Sequence, residues 1–405
     1  INGMVYIRGH AKDYDDWAEA GNNGWAWTDV KPYFVKAENN EQFGGDAHHG
    51  TGGPLNVTFI KSPSKLDKVF VEAAETLQYR ENKDFNGAEQ DGFGIHQVTQ
   101  KNGQRFSAAR AYLEPIKTRK NVSIITNAPV ARVLLDGKHA IGVVLQGAAG
   151  RTIRARREVI LSAGAITSPK ILMLSGIGDG NDLKANGIET VHHLAGVGRN
   201  HQDHAAIGAQ MKTKSRIPYG FSIQALPQLA WGMVEYLTKR SGLYSSNMVE
   251  SGGFVRTRRD LDRPDIQFVF TPGYRARAPK MIGYGHGYAM TSVLLRPKSR
   301  GQVSLAGPDA ATPPVIDPKF FSHEDDLEVL LRGLKESRRI MHAEPFKGFA
   351  PSEFLPGADV QTDDQLRAYI RENSATIFHP VGTCKMGDDD MAVVDARLRV
   401  QGIDG

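Results

Sequence analysis

The stretch that most narrows what this chain can fold into is Glu158-Val159-Ile160-Leu161-Ser162-Ala163-Gly164, an apolar run that stops on a glycine, with Ser168-Pro169 following as a helix opening. A short apolar run of this kind reads as a buried strand, and proline is tolerated in the first turn of a helix. A strand that hands its end to a helix N-terminus is the unit with which open α/β sheets bind dinucleotides, because the helix start presents free N–H groups. Residues 122–126, 130–135 and 140–145 read as further strands, the last two joined by an Asp136-Gly137 turn. The unit is common, so it argues for an α/β class and leaves the ligand open.

Other segments add a second architecture. Leu66, Val69, Phe70, Ala73, Ala74 and Leu77 recur at helical spacing, and so do Leu327, Leu330, Leu331 and Leu334. Ser322 and Asp325 have the spacing of a cap at the start of that second helix. A further helix is expected over 227–238, with Trp231 and Tyr236, and another where Asp13 opens an aromatic-rich stretch. Residues 106–113 look helical. Alternation over 92–100, with a turn at Asn102-Gly103, and strands at 266–270, 290–295 and 302–305 suggest an antiparallel sheet. A glycine- and arginine-rich loop falls at 274–287. The expected class is α/β, or α+β overall: an incomplete Rossmann-like part interleaved with a part built on a mostly antiparallel sheet.

Composition excludes several functions. The net charge is +5, and the basic residues are scattered, so no stripe or module for nucleic acid is present. A modest basic face would suit docking on an anionic membrane, but no run of 18 apolar residues exists to span one. The single cysteine, Cys384, permits no intrachain disulfide, which fits a reducing compartment. No metal is expected. His48 and His49 are adjacent and would not face together on a helix, and His201 and His204, three apart, lack further ligands nearby.

One histidine stands out. In Ile377-Phe378-His379-Pro380-Val381-Gly382-Thr383-Cys384-Lys385-Met386-Gly387, Pro380 drives His379 into extended backbone, and two glycines permit close approach. An imidazole held this way can accept a proton near neutral pH. This stretch, together with Gly164-Ala165-Ile166-Thr167-Ser168-Pro169-Lys170-Ile171-Leu172-Met173-Leu174-Ser175-Gly176-Ile177-Gly178, resembles the glucose–methanol–choline (GMC) oxidoreductases, flavoenzymes that oxidise alcohols with FAD, and the resemblance runs over essentially the whole chain.

The resemblance implies FAD binding by 1–47, 118–211 and 381–405, and substrate binding by 48–117 and 212–380. It implies His379 as catalytic base, with FAD contacts at Asn2, Gly3, Val5, Val130, Ala163 and Gly164. Glu250 and Phe378 are expected at the substrate, and Cys384 in the flavin-side wall. His48-His49-Gly50-Thr51-Gly52-Gly53, the stretch from Gln97 to Arg105 and Glu250-Ser251-Gly252-Gly253-Phe254 look most like acceptor-linked dehydrogenases of primary alcohols, with choline dehydrogenase second. A small-molecule alcohol, an electron acceptor such as a quinone, and a cytoplasmic place peripheral to the inner membrane follow as expectations. No Gly-x-Gly-x-x-Gly follows a strand here. The resemblance therefore implies that the dinucleotide turn and a second catalytic His or Asn lie outside these 405 residues, and that this piece alone binds FAD poorly. A non-catalytic flavin-binding remnant is the alternative of another class.

Overall fold

The computed structural model describes residues 2–147, 150–273 and 284–405. Its largest element is an eight-stranded sheet. Along its main path, Ser352–Leu355, Ala205–Thr213, Gly285–Leu294, Ile266–Thr271, Ser251–Val255 and Gly92–Ile95 lie side by side, every neighbour antiparallel. Two short strands join it: Gly220–Phe221 beside Gly285–Leu294, and Ala375–Thr376 beside Ala205–Thr213. The sheet takes in Ala205, so the chain enters it ahead of residue 212.

Period-two alternation decides which face is covered. Ile266, Phe268 and Phe270 are fully buried, whereas the residues between them are half-buried. The buried face carries the helices Lys65–Thr76 and Glu324–Met341. Phe70 stacks on Phe270 with ring centroids 4.5 Å apart, an offset-stack distance that adds to simple area burial. Glu324–Met341 buries Leu327, Leu330, Leu331 and Leu334 on one face. Its acids cluster in the first turn and Arg338 and Arg339 in the last, complementing the helix dipole. His323, rather than Ser322, is its N-cap, with the ring accepting the Asp325 N–H.

The second region is a three-stranded antiparallel meander, Val130–Asp136, His139–Leu145 and Thr152–Arg154, backed by the helix Gly164–Leu174. Two expected strands do not form here. Residues 122–126 and 158–163 are not laddered, and Ile124, Ile125 and Ile160 are 51%, 50% and 75% exposed. Val159 makes a single backbone bond, its N–H to the Gly405 carbonyl. A strand is defined by its neighbour, and among the described residues none lies alongside either run.

The helix expected at Ser168-Pro169 begins earlier, at Gly164, leaving Pro169 in its interior. Proline there cannot donate to the carbonyl four residues back. That carbonyl, on Ala165, instead accepts the Thr383 hydroxyl at 2.5 Å. The expected helix over 106–113 is a short π-helical turn, Ala109–Leu113. The glycine- and arginine-rich loop falls in part outside the described residues, and its end, Gly285–Gly287, belongs to the long strand.

Candidate functional site

His379 sits on a turn clamped by one carboxylate. Its backbone N–H donates to Asp203 Oδ1 at 3.0 Å. The Thr376 hydroxyl donates to Asp203 Oδ2, and the Phe378 N–H donates to Thr376 Oγ1 at 2.8 Å. Phe378 takes a left-handed conformation, φ +65°, and exposes 76% of its surface. A non-glycine residue there is strained by about 1–2 kcal/mol, which this hydrogen-bond set offsets. The segment is also laddered to the chain before the long strand: Gln202 exchanges both backbone bonds with Val381, and Ala205 and Ala206 pair with Thr376 and Ala375.

The His379 ring is accessible. Partial desolvation lowers its pKa below the ordinary histidine value, with the Asp203 charge opposing the shift, so the imidazole is neutral at pH 7. Its neighbour His204 lies edge-on, ring centroids 5.9 Å apart. His204 Nδ1 donates to the Leu294 carbonyl at 2.6 Å, and burial lowers the His204 pKa as well. His201 and His204 do not share a helical face. His201 sits in a backbone bridge to Gly301, and His204 leads into the strand from Ala205.

The residues expected at the cofactor fall into two groups. Asn2 and Gly3 adjoin the histidine: Asn2 Nδ2 donates to the Ile377 carbonyl at 2.8 Å. A Cβ on Gly3 would lie 3.0 Å from the Val249 methyl, and the Gly3 carbonyl accepts from Asn247 Nδ2. Val5 is bridged to Val98 beyond them. Val130, Ala163 and Gly164 lie in the meander region. There, a cavity of about 940 Å³ is walled by 158–162, Gly164 and Ala165 on one side, by 380–384 on another and by 397–400 and 403–405 on a third.

Of the residues expected at the cofactor, Gly164 alone lines this cavity, whose second wall begins at Pro380, next to His379. Its volume and largely apolar walls suit a cofactor of FAD's size. The helix Gly164–Leu174 opens on it without a side-chain cap, and Gly164 has φ +81°. Its first N–H groups thus remain available for an anionic group. These features fit FAD, with Gly164 and the 380–384 wall as the residues that would hold it.

Cys384 lines the same cavity, and burial pushes its thiol up to about 12. A thiol that remains protonated is a poor nucleophile. Replacing Cys384 with Ser is therefore expected to leave most turnover per bound flavin. Loss of turnover at unchanged flavin content would sink that reading.

Glu250, expected at the substrate, follows Val249, whose methyl adjoins Gly3, and its side chain points into the protein. Its carboxylate is fully buried and accepts the Ser64 N–H at 2.6 Å, the Tyr219 hydroxyl at 3.2 Å and the Ser246 hydroxyl. Burial, and then the facing Glu250, hold the Asp67 carboxyl well above its usual range. Glu250's three contacts anchor the loop before Ser251–Val255.

A third buried group surrounds Glu38. It accepts from Arg8 Nη2 at 2.5 Å, from His49 Nδ1 at 3.1 Å and from the Gly50 N–H at 3.0 Å. His49 Nε2 bonds Asp84 at 3.0 Å. Burial disfavours a charged His49, but Asp84 and Glu38 outweigh it and lift its pKa to about 9. Among the described residues, Asp46, His49 and Asp84 place potential ligand atoms within 4.8 Å of one another. Both His49 nitrogens are engaged by carboxylates, and Asp46 Oδ1 accepts the His48 and His49 N–H groups. Hydrogen bonds thus join all three residues of this trio.

Sequence reasoning passed over Asp203, Thr376 and Thr383. Only Thr383 left a trace: Pro169 deprives Ala165 of its helical donor, so some other donor had to reach it.

Models of the GMC oxidoreductases match residues 1–206 and 297–405. An alcohol dehydrogenase [acceptor] of Pseudomonas putida is 42% identical over 406 residues, covering 100% of this chain and 74% of the relative. An oxygen-dependent choline dehydrogenase of Brucella anthropi is 41% identical over 408 residues, with the same coverage. Pyridoxine 4-oxidase from Mesorbium loti superposes with a TM-score of 0.86 at 30% identity, over 99% of this chain and 75% of that one.

Proposed function

Because this chain belongs to the GMC oxidoreductases, FAD-binding enzymes that act on CH–OH donors, we propose that it oxidises a primary alcohol to the aldehyde, with His379 taking the hydroxyl proton. The observation that carries the proposal is an accessible, neutral imidazole whose backbone is fixed by Asp203 beside Asn2 and Gly3. A base must be unprotonated to act, and partial desolvation keeps this one so at pH 7. Once the proton arrives, the nearby Asp203 charge favours the imidazolium, easing transfer without moving the ring. Asn2 holds the Ile377 carbonyl and fixes the turn from the other side. When bound, FAD supplies the two-electron sink for the hydride released from the carbinol carbon.

Electrons then pass to an acceptor, for which a quinone is our proposal, in line with the acceptor-linked relative. A primary alcohol is favoured over choline because a quaternary ammonium seeks aromatic faces and an exposed acid, and Glu250 is engaged internally. The test is anaerobic reduction of the bound flavin by octan-1-ol and by choline. Reduction by octanol at lower concentration than by choline is expected. A preference for choline would move the substrate to the second class, and bleaching by neither would overturn the proposal.

A further inference from the structure

The helix Leu226–Lys239 is open to water over most of its circumference. Among its residues only Gly232 is buried, against the Tyr244 ring. Leu226, Trp231, Val234 and Leu237 are 49%, 67%, 47% and 62% exposed, and Ile223, in the turn leading into the helix, is 71% exposed. Positions 223, 226, 230, 234 and 237 fall at the three- and four-residue spacing of one helical face. A soluble surface rarely leaves so continuous an apolar patch uncovered.

Cations flank this patch along the chain. Lys214 and Arg216 are exposed in the approach to it, and Lys239 is exposed in the last turn. The Arg240 guanidinium, at the C-cap, lies 4.9 Å from the Tyr236 ring centroid. The one acid on the helix, Glu235, accepts from the Ser241 hydroxyl at 3.0 Å.

We propose that this face docks on an anionic lipid surface, with the helix lying in the headgroup plane. An apolar stripe with a tryptophan and flanking cations is the pattern of a helix that rests in the membrane interface. Anionic headgroups complement those cations, and each nearby cation strengthens such an attraction. A second copy of the chain fits less well. Two-fold pairing through the same patch would set the flanking cations against their own like charge.

The docking face is connected to the candidate site. The helix is followed by the turn Leu243–Ser245, and two residues further on Asn247 holds the Gly3 carbonyl beside the histidine segment. A lipid-dissolved acceptor would thus approach from the docked side. That corollary rests on the function proposed above, whereas the docking does not.

Flotation of the FAD-loaded protein with phosphatidylcholine vesicles, with and without phosphatidylglycerol, tests the proposal. Binding is expected only where phosphatidylglycerol is present and should weaken with salt. Trp231→Glu combined with Leu237→Glu should lower the bound fraction on the order of tenfold, with melting temperature and dye-linked alcohol oxidation unchanged. Should that variant misfold, Lys214→Glu with Lys239→Glu keeps the apolar stripe and should lose the preference for phosphatidylglycerol. Wild-type protein that ignores anionic vesicles, or charge variants that retain the preference, would overturn the proposal. So would sedimentation showing a dimer that the Trp231 and Leu237 variant dissolves, since the face would then serve a second copy.

Discussion

His379→Ala is expected to slow flavin reduction by the alcohol by about 10²–10⁴-fold, the usual contribution of a positioned general base. Flavin content and folding should change little, because the ring is accessible and makes no structural hydrogen bond that is needed to hold the turn. The contacts that fix the turn belong to the backbone N–H of His379 and to Asp203 and Thr376. The measurement is anaerobic stopped-flow reduction, normalised to bound flavin, across a range of pH. In the wild type the rate should rise as the base loses its proton, with the acid limb below that of an ordinary histidine because desolvation lowers this pKa. Asp203→Asn supplies a second readout. It keeps an acceptor for the His379 N–H but removes the charge that raises the histidine pKa, so the limb should move to still lower pH. An alanine variant that keeps its flavin and reduces it at near wild-type rate would exclude His379 as the base.

Glu38→Ala should destabilise the fold by about 3–5 kcal/mol, the cost of removing one partner of a buried ion pair. Arg8 and His49 would be left charged with their shared carboxylate gone. The wild type should show two pH limits from this group. His49 has a raised pKa, so its contribution is complete below about 6.5 and lost as pH rises through about 9. Glu38 and Asp84 have depressed values: burial opposes this, and the His49 hydrogen bonds, with Arg8 nearby, outweigh it. Their contribution is present above the ordinary carboxylate range and fades as pH falls through their folded values. Denaturant midpoints at pH 6 and above pH 9 report both effects. The variant should unfold at much lower denaturant at pH 6 and lose part of the alkaline decline. Midpoints matching wild type at pH 6 would show that the pair contributes nothing.

Much of the fold was legible because local pattern and tertiary burial coincide. Leu327, Leu330, Leu331 and Leu334 mark a helix and also bury as one. Residues 266–270 alternate, and Ile266, Phe268 and Phe270 point inward as that alternation requires. His379 stood out from the residues beside it. Asp203 did not, because its partner lies 176 residues away and nothing local distinguishes a carboxylate that clamps a turn from one in solvent. The burial of Glu250 was hidden for the same reason: Ser64 and Tyr219, which engage it, reach it across 186 and 31 residues. The runs at 122–126 and 158–163 have strand composition, yet pairing is a property of two segments, and composition reports on one.

The bond from Thr383 to Ala165 bears on how the molecule opens. Two segments 218 residues apart are stitched where a proline left a helix short of a donor. Fraying of Gly164–Leu174 therefore removes one anchor of the histidine segment, and peeling of that segment leaves a part-buried helical carbonyl without its partner. Each event raises the free energy of the other's intact state, so the two segments exchange with solvent as one cooperative unit. The cofactor cradle and the proton acceptor proposed above are in this way coupled.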